Sequence, residues 1–451
     1  MHIYLHTFVR DIAMIRLLAT LWLALIPLNL AFADDLMDIY QLARQNDPQY
    51  RSSDINQSAV AEIKSQSIAQ MLPNIGLSAS SNRQRIQSIR GGFSISGTGL
   101  QHYWDSALAV SLKQPVFNWA HWVQLDQADN KIAQAEAQFQ AEQQKLMVRT
   151  VEAYFNVLAA QDNLEFIVAE KKAIEKQLEQ AKQRFDVGII AITDVYEAQA
   201  GFDRSRAAVI EAENQLDNTK EQLQEIVGLH NVNLKKLPEA VPLTPPEPQD
   251  IASWANSAES NNFSIVSQIN QTEFIRKNIE LQESKHLPTL DLVAQYRQLD
   301  NGNQVGFRGD NESFGLQFNM PLYEGGGTVS RTRQAQYEFE QAKEDLIKVK
   351  RSVNREVKDA YRGVIASIDQ VQALKSTTES GALAVEAAEA GLEVGTRTMV
   401  DVLAIQRNLY KAKSDYARGR YDYLISGIKL KQAAGNLSED DLMAINQYLQ
   451  N

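Results

Sequence analysis

The chain is written twice. Ala153-Tyr154 and Ala360-Tyr361 lie 207 positions apart, and at that offset Val157 meets Val364, Asp162 meets Asp369 and Val187-Gly188 meets Val394-Gly395. Asp194-Val195 likewise meets Asp401-Val402, and Gly228 meets Gly435, with no gap across the window. A duplication that holds register over this span predicts two copies of one structural unit in equivalent surroundings, and a pseudo-symmetric assembly.

The first segment fixes the compartment. Arg10 and Arg16 precede the apolar run Leu17 to Leu30, and Ala31-Phe32-Ala33 supplies a small-x-small cleavage signal. Residues 1–33 therefore read as a secretory leader, with Asp34 as the first mature residue. A membrane anchor is the competing reading, but the run is short for a span of about 20 residues. Met14 offers a second start with a more compact basic region. No later segment approaches 18 consecutive apolar residues, so no transmembrane helix is expected beyond the leader. Cysteine is absent, which excludes disulfides, thiolate metal sites and a lipid-modified N-terminal cysteine. A β-barrel is then the remaining way to span a membrane. The net charge of −11 argues against a nucleic-acid partner, whose phosphates need lysine and arginine.

Each half opens with a helical stretch that ends in Leu-Pro (Leu72-Pro73, Leu287-Pro288), after which the apolar period changes from 3.6 to 2. Ile75, Leu77 and Ala79 alternate with polar or small residues, and so do Leu108, Val110 and Leu112 after a polar loop. The second half repeats this with Leu290, Leu292, Ala294 and Tyr296, then Phe314, Leu316, Phe318 and Met320. These read as two hairpins, about 73–115 and 288–321, with one apolar face and strands of about ten residues, as tilted membrane strands require. A soluble hairpin packed on a helix would alternate in the same way. Tyr103 and Trp104 at one end, and Phe117, Trp119, Trp122 and Tyr323 at the other, favour the membrane, because an interfacial girdle is aromatic. Pro115 and Pro321 are expected to close the second strand of each hairpin. Gly325-Gly326-Gly327 lacks the lysine and spacing of a phosphate loop and reads as a tight corner.

From about 120 to 186, and again from about 330 to 393, Ala, Gln, Glu, Lys and Leu dominate and proline is missing. A helix that long measures roughly 100 Å and must run along a partner helix. Gly188 and Gly395 follow as terminating glycines, and second helices return over about 193–227 and 399–434. The organisation is a first repeat 34–236 with its tip near 188, a proline-rich linker 237–250, and a second repeat 251–451 with its tip near 395. Leu437 to Leu449 forms a short amphipathic helix at the end. Four strands per chain cannot close a barrel, for which about eight is the minimum. An obligate oligomer follows, and three copies would supply twelve strands.

Taken in this order the pattern resembles the TolC type of the outer-membrane efflux protein family. The likeness rests on Ala153 to Leu158 (AYFNVL), Arg184 to Val195 (RFDVGIIAITDV), His286 to Leu292 (HLPTLDL) and Val394 to Leu403 (VGTRTMVDVL). It covers nearly all of the mature chain. It implies an α+β membrane protein: a homotrimer with a twelve-stranded barrel in outer-membrane lipid, continued by a long α-helical coiled-coil barrel in the periplasm. Substrates would leave through it from an inner-membrane transporter joined by a periplasmic adaptor. It also implies a gate at the periplasmic end. Arg397 matches the constricting arginine, Thr193 and Asp194 its acceptors, and Asp401 the acidic ring of the pore. The tie must join unlike hairpins, since Ile190 stands where Arg397 would have its counterpart. Ala404 replaces a second ring aspartate and Leu392 a gate tyrosine. For Asp401 a helix-start carboxylate is the plain alternative. The adaptor's helical hairpins are expected at Val187-Gly188 and Val394-Gly395, where a helix C-cap alone would also account for the glycines.

No catalytic or cofactor reading emerges. His102, His121, His230 and His286 are far apart and lack metal-ligand spacing. No nucleophile elbow, Walker motif or H-E-x-x-H sequence is present, and the Glu and Lys at i, i+3 and i+4 suit a solvated helix surface. A passive exit duct for efflux or type I secretion is expected, with no cofactor and no metal. An exported coiled-coil adhesin or periplasmic scaffold is the alternative, but it would have no use for apolar hairpins with aromatic flanks.

Overall fold

The computed structural model describes residues 34–88, 99–229, 233–239, 241–301 and 307–449. The expected leader and His230 lie outside them. The first half contains α1 (Leu36–Asn46), α2 (Pro48–Ala69), β1 (Asn74–Ser88), β2 (Gly99–Phe117), α3 (Trp119–Asp186) and α4 (Ile192–Val227). The second contains α5 (Ile251–Asn261), α6 (Phe263–Glu283), β3 (Thr289–Asn301), β4 (Phe307–Asn319), α7 (Gly327–Glu393) and α8 (Met399–Ala433), and α9 (Glu439–Asn446) follows. Residues 233–239 and 241–250 carry no helix. The starts of α1 and α2 recur in α5 and α6, and the tips joining α3 to α4 and α7 to α8 recur at the 207-residue offset.

Local chemistry sets these boundaries. The opening helix of each half is two helices, divided where a short polar side chain caps the second. Asp47 accepts from the Tyr50 amide with Pro48 at the first helical position, and Asn262 accepts from the Ser264 amide. Such caps contribute about 1 kcal/mol each. The long helices α3 and α7 contain 68 and 67 residues. Gly325 and Gly326 hold φ of +63° and +82° immediately before α7. That is the corner expected of the triple glycine, in a region that side chains avoid.

The strands form one antiparallel sheet in the order β1-β2-β3-β4. Ile75 lies opposite Leu112, Leu112 opposite Ala294 and Ala294 opposite Phe314, so the apolar residues share one face. The reverse face is polar and carries an ion pair between Lys113 and Asp291 at 2.9 Å. Two expectations need correction. The strands run 13 to 19 residues, longer than about ten. Pro115 does not close β2, which continues to Phe117 through a register shift at Pro115/Phe117. A bulge accommodates a proline, whose missing N–H cannot join the ladder.

Most of the core lies midway along the helices, where α1, α3, α4, α5, α7, α8 and α9 converge. Tyr154, Phe155 and Tyr421 are fully buried there. Phe155 stacks on Tyr421 at 5.4 Å and meets Tyr154 edge-on at 5.5 Å. The Tyr421 hydroxyl donates to Asp162 at 2.6 Å and that of Tyr154 to the Lys235 carbonyl at 2.9 Å. Burial pushes both phenols above the usual tyrosine range, with the Asp162 charge adding to the shift at Tyr421. Each ring contributes about 1.5–3 kcal/mol by burial. Together they clamp the two halves at their midpoint, since Tyr154 and Phe155 come from the first repeat and Tyr421 from the second.

Candidate functional site

Two regions of the protomer expose what a soluble protein covers. On the sheet, Ile75, Leu77, Phe314, Leu316 and Phe318 are all more than 60% exposed and lie on one face. Trp104, Trp119, Trp122 and Tyr323 are also exposed, at the ends of this apolar band. Of the four tryptophans after the leader only Trp254 is buried. No helix among the described residues is long and apolar enough to cross a membrane.

The second region is the pair of helical tips. At the end of α3 the Gly188 amide donates to Phe185 and the Ile189 amide to Arg184; at the end of α7 the Gly395 amide donates to Leu392 and the Thr396 amide to Gly391. Both glycines have positive φ, +78° and +77°, as this type of helix end requires. A Cβ at either would meet nothing within 4 Å. Val187 and Val394 beside them are 70% and 75% exposed. The tips therefore present backbone and apolar side chains to the outside.

The equivalent positions at the two tips are capped differently. Thr398 caps α8 in a reciprocal box: its hydroxyl accepts from the Asp401 amide, while its own amide and hydroxyl donate to the Asp401 carboxylate. The Thr398 amide, then its hydroxyl, and then the Arg397 charge hold the Asp401 carboxyl below the usual range. The helix-start role weighed for Asp401 is thus present in the protomer. In the first repeat Ala191 occupies the cap position and has no side chain to offer. Asp194 consequently has no side-chain partner among the described residues. Arg397 folds its side chain against Gly391, where an added Cβ would lie 2.8 Å from the Arg397 Cγ. Among the described residues the protomer joins Arg397 to neither Thr193 nor Asp194.

Just above the tips Leu178, Ala181, Val195, Ala198 and Met399 form a small apolar cluster, with Leu392 and Leu403 packed on it. Leu392, which stands where the resemblance implies a tyrosine, is an apolar packing residue here. A polar layer follows that the sequence pattern did not reveal. Glu389 on α7 accepts from Gln177 on α3 at 3.4 Å and from Gln406 on α8 at 2.8 Å. It links the two helical hairpins within one protomer. The only signal in the sequence was a lone Gln in each of two apolar stripes. Above the tips a groove of about 490 Å³ runs between α3, α4 and α8, lined among others by Glu170, Ile174, Gly201, Arg204, Leu403 and Arg407. Burial raises the Glu170 carboxyl, opposed by the Arg407 charge.

No group of His, Cys, Asp and Glu among the described residues could hold a metal ion. The arrangement exposes an apolar sheet face and, at the helical tips, backbone with apolar side chains.

The outer membrane efflux protein profile matches residues 39–229 and 254–436, once per repeat. The chain is 38% identical to the outer membrane protein TolC of Vibrio cholerae over 93% of its length and 94% of that protein. It is 29% identical to the alkaline protease secretion protein AprF of Pseudomonas aeruginosa over 91% of its length and 86% of that protein. Among solved structures the Campylobacter jejuni CmeC outer membrane channel superposes with a TM-score of 0.73 at 16% identity, covering 92% of this chain and 90% of that one.

Proposed function

The chain belongs to the outer membrane efflux protein family, and from that premise we infer how it works as an outer-membrane exit duct serving efflux and type I secretion. The observation that carries the reading is the four-stranded sheet, apolar and exposed on one face and polar on the other, continuous with helices far longer than a globule needs. One sheet of four strands leaves two open edges and cannot close. Three copies supply twelve strands and a ring of helices, and the polar face then lines a water-filled lumen.

The chain supplies a conduit and a gate, and the driving force comes from partners. An inner-membrane transporter hands over the substrate, and a periplasmic adaptor grips the duct at Val187-Gly188 and Val394-Gly395. The groove between α3, α4 and α8 seats the adaptor's helical hairpin above those tips. At rest Arg397 of one protomer binds Thr193 and Asp194 of the next. The Asp194 carboxylate has no side-chain partner among the described residues, which supports this pairing, because such a charge is available to a neighbour. Three Asp401 carboxylates face the aperture in a ring and attract cations. With Ala404 in place of a second acidic position, the ring has three carboxylates and holds cations less tightly than six would. Glu389 with Gln177 and Gln406 ties the two hairpins of one copy, so opening must move them together or break that layer.

The test is physical. The mature protein should fractionate with outer membranes, run as a heat-sensitive trimer in mild detergent and conduct ions in planar bilayers. A protein that partitions into the soluble periplasm and conducts nothing would instead be the coiled-coil scaffold.

A further inference from the structure

We propose that the joint between neighbouring protomers repeats, position for position, the joint that the two halves make inside one protomer, with Glu62 of one copy paired to Arg333 of the next. The proposal rests on the trimeric reading above and adds the residue-level register of assembly.

Inside the protomer α3 packs along α6. Lys277 of α6 pairs with Asp126 of α3 at 2.8 Å, and Gln127 donates to the Phe274 carbonyl at 3.2 Å. The repeat makes α7 the counterpart of α3 and α2 the counterpart of α6. If the ring continues as it began, α7 of one copy lies along α2 of the next. Arg333 then stands in the place of Asp126, and Glu62 in the place of Lys277. The pair has kept its complementarity and reversed its sign. Both residues are exposed, and neither makes an ion pair within the protomer among the described residues. Tyr337 and Ile55, 69% and 64% exposed, lie one and two helical turns farther along the same faces, where spacings of four and seven keep them in line. They supply the apolar contact that a charged pair alone would lack.

The sheet repeats the same logic. Asn74 pairs with Lys113 and Thr289 with Asn319, so the two hairpins correspond residue by residue. Between them, β2 pairs with β3 at a fixed stagger that sets Leu112 opposite Ala294. Carrying that stagger to the open edges sets Phe318 of β4 opposite Ala79 of the next copy's β1. It also sets Glu312 opposite Arg85, two exposed charges just past the apolar band. The apolar faces remain on one side, as a barrel in lipid requires. A slip of two residues would keep the faces and set Phe318 opposite Leu77, so alternation alone does not choose. The internal symmetry does.

The native chain has no cysteine, so disulfide trapping is clean. Directly opposed strand positions come within disulfide reach. In outer membranes, Ala79→Cys with Phe318→Cys should oxidise to covalent dimers and trimers at several-fold higher yield than Leu77→Cys with Phe318→Cys. Glu62→Arg alone and Arg333→Glu alone should each lower the temperature at which the trimer dissociates, and the double reversal should restore it. Preferential trapping of the Leu77 pair, or a double reversal no better than the singles, would overturn the symmetry and leave the trimer standing. Failure of both cysteine pairs to trap in a heat-sensitive trimer would also overturn it. Absence of any trimer in the native protein would instead remove the duct reading itself.

Discussion

Gly188 and Gly435 have nearly the same backbone, φ +78° and +77°, yet a side chain should do opposite things at the two positions. At Gly188 a new Cβ meets nothing within 4 Å. The cost of Gly188→Leu is therefore the left-handed conformation alone, about 1–2 kcal/mol, spent at a solvent-exposed tip far from the core. At Gly435 a new Cβ would press on the Asn261 carbonyl, 2.5 Å from its carbon and 2.7 Å from the Asn262 amide nitrogen. Both are backbone atoms at the junction of α5 and α6, where Asn262 also donates to the Ala433 carbonyl, so no side chain can swing aside. The same conformational cost plus overpacking makes Gly435→Ala cost roughly 2–5 kcal/mol. Assayed side by side, Gly188→Leu should leave trimer abundance and its dissociation temperature close to native while export and crosslinking to the adaptor are lost. Gly435→Ala should deplete the trimer. If Gly188→Leu depletes the trimer to the same extent, its glycine is a structural cap and the tips are not the docking site.

Three further outcomes follow from the gate and the core. Arg397→Ser removes three exposed ties of about 1 kcal/mol each, roughly a hundredfold in the open-to-closed ratio; single-channel conductance should rise, and an unchanged conductance removes Arg397 from the gate. Asp401→Ala should abolish block by trivalent cations in planar bilayers while Ala404→Asp strengthens it, and block that survives Asp401→Ala places the acidic ring elsewhere. Arg149 binds Asp47 through two bonds of 3.0 and 3.2 Å and Glu142 through a third of 3.2 Å. Arg149→Ala strands an Asp47 side chain that is only 3% exposed and should cost about 3–5 kcal/mol. Asp47→Asn should cost less, because the second repeat already caps α6 with Asn262, and equal losses in urea unfolding would refute that ranking.

What the sequence disclosed and what it withheld divide along one physical line. Periodicity, caps and breakers act within a few residues, so the helix tips at Gly188 and Gly395 and the two apolar hairpins are legible in the sequence. The break at Asp47-Pro48 is equally local, an N-cap followed by a proline, although the stretch ahead of Leu72-Pro73 reads as one helix in the sequence alone. Pro115 announces a break in the ladder, but whether the strand resumes beyond it depends on β3 lying alongside. The layer of Gln177, Glu389 and Gln406 draws on three helices, and its members lie 212 and 17 positions apart. Such a set becomes visible only when the helices are laid side by side. The asymmetry between Asp194 and Asp401 lies between these cases. Both aspartates stand at equivalent positions of the repeats, but their difference comes from the position three residues earlier, Ala191 in one copy and Thr398 in the other. A threonine there engages the carboxylate locally, and an alanine makes no bond to it. The duplication therefore does more than build two similar hairpins. In the proposed gate one copy of a shared motif binds across the ring, while the other copy closes its own helix.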